Sequence, residues 1–184
     1  MHETIELLAS NLYAAAYCVA GEKDNRPYIK NICLSDGCVV ATNGGILCVL
    51  PDALLDSTVE RVIPLSFVSV LKTFKVRSTD VVKLVVTRDG DEFMFTAPNG
   101  SQMFFNFVTD TFVSWKKILL AETESESVNR IRYDCKVFET ISSMQKVYSK
   151  KIQVLDCIFF SGGKRLKAKV GDNDGFVIAM NLIH

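Results

Sequence analysis

The stretch Val40-Ala41-Thr42-Asn43-Gly44-Gly45-Ile46-Leu47-Cys48-Val49 reads as two apolar strands joined by a tight reversal. Asn and Gly reach the left-handed backbone that such a turn needs, and the Val, Ile and Leu on either side favour strands. The region is therefore antiparallel sheet. Upstream, Tyr28 to Leu34 is a strand that turns at Ser35-Asp36-Gly37 into a second strand, Cys38 to Thr42. Downstream, Ile46 to Leu50 completes the set, Pro51 to Thr58 is a loop, and Val59 to Ile63 is a further short strand.

Helical apolar spacing brackets these strands and recurs three times, at Glu3 to Val19, Pro64 to Lys75 and Asp134 to Lys150. The first segment puts Ile5, Leu8, Leu12, Ala15 and Val19 on one stripe and turns Glu3, Glu6, Ser10, Tyr13 and Tyr17 away. In the second, Pro64 suits the first helical position, and Phe67, Val70, Leu71 and Phe74 follow on one face. Strands at Val81 to Thr87, Glu92 to Thr96 and Gln102 to Val108 come next, punctuated by Gly-containing turns. The acidic, hydroxyl-rich run Glu122 to Ser127 is a linker, dividing the chain into domains 1–121 and 128–184. Beyond it come a strand at Val128 to Tyr133 and a helix burying Val137, Ile141, Met144 and Tyr148. Strands at Lys151 to Ser161, Arg165 to Val170 and Phe176 to Ile183 follow. The class is α+β, one helix-plus-meander unit repeated, and such a repeat points to assembly rather than catalysis.

Composition narrows the function. With 184 residues, 48% of them apolar, and 21 Lys+Arg against 21 Asp+Glu, the chain has an ordinary globular balance and no net charge. No apolar run approaches the ~20 residues that cross a bilayer, and the start lacks a secretory signal, so the expectation is a cytoplasmic protein with no membrane partner. Cys18, Cys33, Cys38, Cys48, Cys135 and Cys157 form no C-x-x-C pair and read as reduced thiols. The two histidines are His2 and His184, at the ends, which speaks against a histidine-based nucleophile or metal site. Asp172-Asn173-Asp174-Gly175 is a hairpin turn rather than a calcium loop, and Gly162-Gly163-Lys164-Arg165 lacks the spacing of a phosphate loop. No enzyme, metal or cofactor is expected.

Several segments resemble the bacterial sliding clamp, the β subunit of DNA polymerase III. Val40 to Val49 is similar to the A-T-D-G-x-R-L-A-V segment of its middle domain, and Val62-Ile63-Pro64 to its V-x-V-P-R. Phe107 to Leu119 resembles L-x-D-G-x-F-P-D-Y-R-R-V-I-P, and Phe176 to Leu182 resembles the closing V-V-M-P-M-R-L. The resemblance implies a DNA-clamp fold of about one and a half domains. Residues 1–121 correspond to the middle domain and 128–184 to the second half of the last. Clamps of this family close a ring from such halves, so an odd number of them implies a homo-oligomer, as a ring or an open arc. The short chain points to a phage or mobile-element version.

The resemblance implies sequence-independent binding of duplex DNA and docking of a DNA polymerase or other clamp-binding proteins. Lys136, Lys146 and Lys150 on the third helix, close to one stripe, with Lys72 and Lys75 on the second, are the DNA-binding candidates; the same lysines also fit a solvated outer face. The partner-peptide pocket would use Ile29, Thr42, Gly44, Gly45, Ile46 and Leu47 with Ile178, Ala179, Met180 and Leu182, residues that equally suit buried strand ends. Ile46 and Asn181 stand where the family usually has arginine. A clamp-fold interaction protein that mimics or binds a host clamp, as a decoy or inhibitor that does not encircle DNA, is the alternative.

Overall fold

Thr4–Leu8 is a strand, β1, and not the start of a helix. Ile5 and Leu7 are buried while Thr4 and Glu6 face outward, a period of two that the helical stripe through Ile5 and Leu8 had masked. Pairing decides the outcome: β1 lies antiparallel to β6 (Val81–Val86), from Thr4 opposite Val85 to Leu8 opposite Val81. The helix that follows, α1 (Ala9–Ala15), runs on through a 3₁₀ turn at Ala16–Cys18. Its first free N–H groups, on Ala9 and Ser10, donate to the carbonyls of Asp80 and Ser78, so loop backbone does the work of a side-chain cap.

The computed structural model describes residues 3–120, 133–149, 156–160, 165–171 and 174–180. After α1 come β2 (Asn31–Ser35), β3 (Cys38–Thr42), β4 (Ile46–Pro51) and β5 (Glu60–Pro64), then α2 (Leu65–Thr73). Next are β6, β7 (Glu92–Thr96) and β8 (Gln102–Asn106), a short helix α3 (Trp115–Leu120), and α4 (Cys135–Tyr148). The last meander is β9 (Cys157–Phe160), β10 (Arg165–Val170) and β11 (Gly175–Met180). Pro64 precedes α2 as its N-cap, with ψ 142°, rather than occupying the first helical position. The expected strand over 128–133, save for Tyr133, lies outside the described residues, as do the linker 122–127, Lys150 and Leu182.

Two antiparallel sheets result, in the orders β1-β6-β7-β8 and β5-β2-β3-β4-β11-β10-β9. The strands that lead directly into α1 and α2 have crossed over: β1 joins the meander after α2, and β5 joins the meander after α1. This exchange ties the first two units together. The third joins them through β11, which pairs with β4 from Phe176 opposite Val49 to Ala179 opposite Ile46.

One apolar core unites the inner faces of both sheets with α1, α2 and α4. Phe67 of α2 is fully buried and meets Phe93, Phe95 and Phe105 edge-on at 5.1–5.4 Å, the preferred aromatic geometry. α4 buries Val137, Ile141 and Met144 as its spacing predicts. Asp134 caps it, its carboxylate accepting from Lys136 N–H at 2.9 Å. A smaller cluster lies on the outer sheet face, where Trp115 of α3 covers Cys33, Val40, Leu47 and Val49.

Candidate nucleic-acid face and partner junction

Three helices share one side of the molecule, and α1 meets both of the others. Tyr13 Oη donates to the Val76 carbonyl at 2.7 Å, just beyond α2, while Tyr148 of α4 donates to Asn11 Oδ1 at 2.7 Å. Between them opens a groove of about 370 Å³ lined by Tyr13, Tyr17, Lys72, Ser78, Lys146 and Tyr148. Lys72 of α2 stands 5.9 Å from the centre of the Tyr13 ring. Tyr17 is 48% exposed. Burial and the nearby Asp80 carboxylate push the Tyr13 hydroxyl above its ordinary pKa of 10.0, and burial raises that of Tyr148 well above it. Both therefore remain neutral hydrogen-bond donors at physiological pH.

Of the lysines expected to meet DNA, Lys72 and Lys146 come together at this groove from two separate helices. Lys75 follows α2, in the left-handed region at φ 55°, and Lys136 opens α4. None of these four makes an ion pair among the described residues, and all are exposed. The single stripe expected on the last helix does not form. At ~100° per residue, Lys136 and Lys146 stand about 80° apart, whereas Glu139 falls about 20° from Lys146. α4 also ends at Tyr148, with Ser149 extended, so no helical turn carries the stripe further. Two of the four, Lys72 and Lys146, line the groove.

Of the residues expected at a partner pocket, Ile46, Leu47, Ile178 and Ala179 meet at the junction of β4 and β11. Leu47 sits opposite Ile178 and Ile46 opposite Ala179, and Met180 N–H donates to the Gly45 carbonyl at 2.9 Å. Strand alternation then separates them. Ile46 and Ala179 belong to the main core, while Leu47 belongs to the outer cluster under Trp115. Leu47 and Ile178 are only 4% and 2% exposed, and Ile29 is buried in a 3₁₀ turn at Pro27–Ile29. Thr42 Oγ1 donates to the Ile46 carbonyl at 2.7 Å and accepts from Gly44 N–H at 3.0 Å. Asn43 Oδ1 takes the N–H groups of Gly45 and Ile46. The turn is self-satisfied, with Gly44 and Met180 as its exposed members.

No family profile and no curated protein matches this sequence. Solved structures do. The DNA polymerase sliding clamp of Bacillus subtilis is 14% identical and superposes with a TM-score of 0.70, covering 100% of this chain and 65% of its own. The DNA polymerase III β subunit of Pseudomonas aeruginosa gives 13% and 0.69 over 99% of this chain and 67% of its own. That of Borrelia burgdorferi gives 11% and 0.68 over 98% and 64%. The chain has the sliding-clamp fold. It spans about two-thirds of the length of those clamps.

Within this clamp fold, two site features carry no secondary-structure or site assignment from the sequence. Arg26 is one: its guanidinium donates to the Asn43 carbonyl at 3.3 Å and lies so close to Gly44 that a Cβ there would be 2.6 Å from Nη1. Asp24 holds it by a bidentate pair at 2.8 and 3.0 Å, which pulls the Asp24 carboxyl down from 3.8 to about 2. Another is α3, whose Trp115, Ile118 and Leu119 at i, i+3 and i+4 are a helical spacing, used here to roof the outer face of β4. A larger groove of about 780 Å³ lies beside this roof, lined by Arg61, Asp89, Asp91, Phe107, Trp115 and Lys116, and does not include Lys72 or Lys146. Among the described residues no cluster of His, Cys, Asp and Glu could hold a metal ion, and no helix is long and apolar enough to cross a membrane.

Proposed function

We propose that this protein is a sliding-clamp-like replication accessory that tethers a DNA polymerase or related enzyme to duplex DNA as a homo-oligomer. The observation that carries this reading is the groove on the helical side, where Lys72 and Lys146, which form no ion pair among the described residues, stand with Tyr13 and Tyr17. Cations delivered from separate rigid helices meet phosphates without reading bases, which is what a protein that moves along DNA requires. The β4–β11 junction, rimmed by Gly44, Arg26 and Met180, is where a partner peptide would dock. Retention on nicked circular duplex, lost when the circles are linearised, tests the tether; equal retention on both forms would exclude enclosure of DNA.

A second reading has its own support. The molecule carries no net charge, Glu139 shares the face of Lys146 on α4 about two turns away, and Leu47 and Ile178 are covered rather than open. These features favour a clamp-fold protein that engages or mimics a host clamp without holding DNA. Capture of the host clamp or its partners by a protein that ignores circles would select this reading.

A further inference from the structure

The groove of about 780 Å³ beside the Trp115 roof is separate from the lysine groove and from the β4–β11 junction: no residue of α1, α2, α4, β4 or β11 is among the described residues that line it. Backbone fixes its walls. Leaving β8, the chain crosses β5 on its way to α3; Phe107 N–H donates to the Asp91 carbonyl and Val108 N–H to the Val62 carbonyl, both at 2.8 Å. One segment is thereby pinned to the β6–β7 turn of one sheet and to β5 of the other, and the groove follows that seam. Its floor is apolar, formed by Val62 and Trp115 of the outer cluster with Phe107.

The rim is acidic, on a molecule with no net charge. Asp36 is paired with Lys116 at 2.6 Å. Glu60, Asp89, Asp91 and Asp110 line the same groove, are exposed, and form no ion pair among the described residues. Arg61 stands between floor and rim, its guanidinium 5.5 Å from the centre of the Phe107 ring. It is incompletely satisfied. Nη1 donates to the Glu60 carbonyl at 3.1 Å, Nη2 lies 3.6 Å from the Glu3 carboxylate, and the buried Nε has no acceptor among the described residues. A buried donor without an acceptor is costly, and a small turn of this side chain toward an incoming carbonyl relieves it.

We propose that this groove is a docking site for an extended, lysine- or arginine-rich segment of a partner protein that carries an apolar side chain between its cations. The cations meet Glu60, Asp89, Asp91 and Asp110, the apolar side chain covers Val62 and Phe107, and a backbone carbonyl of the segment accepts from Arg61. Each part of the site selects against another occupant. Four carboxylates without ion pairs repel the phosphates of nucleic acid. The apolar floor and Arg61 offer nothing to a polyamine, which brings neither a carbonyl nor a bulky apolar group. The groove includes neither Lys72 nor Lys146, so this docking holds whether or not the protein encloses DNA.

Trp115 is the single tryptophan of the chain and lines the groove, so its emission reports occupancy. Titration of the intact chain with acetyl-KLKFKLK-amide, followed by calorimetry and by Trp115 emission, should give a Kd on the order of 10–100 µM that weakens with salt. Asp91→Lys should weaken binding about tenfold, whereas Glu139→Lys, the same charge change on the helical side, should leave it unchanged. The analogue acetyl-KSKSKSK-amide, which keeps the cations and loses the apolar side chains, should also bind about tenfold more weakly. Thermal midpoints close to that of the unaltered chain confirm that both variants fold. Binding heat without a change in Trp115 emission, or no binding up to about 1 mM peptide, overturns the proposal. So does equal weakening by Asp91→Lys and Glu139→Lys, equal affinity for the serine analogue, or spermine or a short DNA duplex altering Trp115 emission as the peptide does.

Discussion

Tyr148, at the end of α4, donates a 2.7 Å hydrogen bond to Asn11 Oδ1 in α1, 137 residues earlier in the chain. Asn11 Nδ2 in turn donates to Asp52 Oδ2 at 2.8 Å, and the same carboxylate oxygen takes Leu8 N–H at 2.8 Å. Asp52 and Asn11 are buried. One polar chain thus joins α4 to α1 and to the loop after β4. Tyr148→Phe removes a single donor and should cost about 1 kcal/mol. Asp52→Ala removes the acceptor of three donors, Leu8 N–H, Asn11 Nδ2 and Leu54 N–H, and should cost about 2–4 kcal/mol. Urea unfolding distinguishes them; equal losses would mean that the Asp52 carboxylate does not organise the network.

Gly44 has φ +88°, and its missing Cβ makes room for the Arg26 guanidinium. Gly44→Ala combines left-handed strain with a clash and should lower stability by about 1–2 kcal/mol. Shortening Arg26 to Ala relieves the clash but not the strain, so the double variant should recover about half the loss. A strictly additive double-mutant cycle would show that Arg26 does not occupy this space in solution.

Acid titration probes the same corner. The Arg26 guanidinium holds the Asp24 carboxyl down at about 2, against 3.8 in its absence. A carboxylate with a depressed folded-state pKa stabilises the fold above its unfolded value, and that contribution fades as pH falls from about 4 to about 2. Nothing should change at this pair between pH 5 and pH 8. Carboxyl carbon shifts followed by NMR should place the Asp24 midpoint near 2, moving toward 3.8 in Arg26→Ala; a midpoint near 3.8 in the unaltered chain would show that the pair is open.

Much of this architecture could be read from residue patterns, and the exceptions share a cause. β3, β7 and β10 fall where the sequence places them, because their alternation is bounded by Gly-containing turns. α4 shows a clean apolar face and an Asp cap. β1 looks helical in sequence because Ile5, Leu8 and Leu12 satisfy a helical spacing by chance, and its strand state depends on β6, far along the chain. The exchange of β1 and β5 between meanders has no local signature either. Among site residues, the β4–β11 junction was legible through its Asn-Gly-Gly turn, whereas Arg26 acts across 17 residues and nothing in its neighbourhood marks it. Lys146 was identifiable as a surface cation, but its meeting with Lys72 depends on how α1 sits between two helices.

That meeting gives the sharpest test of the proposed DNA-binding face. If Lys72 and Lys146 each neutralise a phosphate, log affinity against log salt should flatten by about 0.9 for Lys72→Gln and by about 0.9 for Lys146→Gln, and the two effects should add. Lys136, set about 80° around α4 and beside the acidic Asp134 cap, should change the slope far less. Tyr17→Ala, which removes an exposed ring between the two lysines, should weaken binding without altering the slope. Fluorescence anisotropy with a short duplex across a salt series reads all four variants. A slope that responds to Lys136 but not to Lys72 or Lys146 would move the contact surface from the groove to the start of α4.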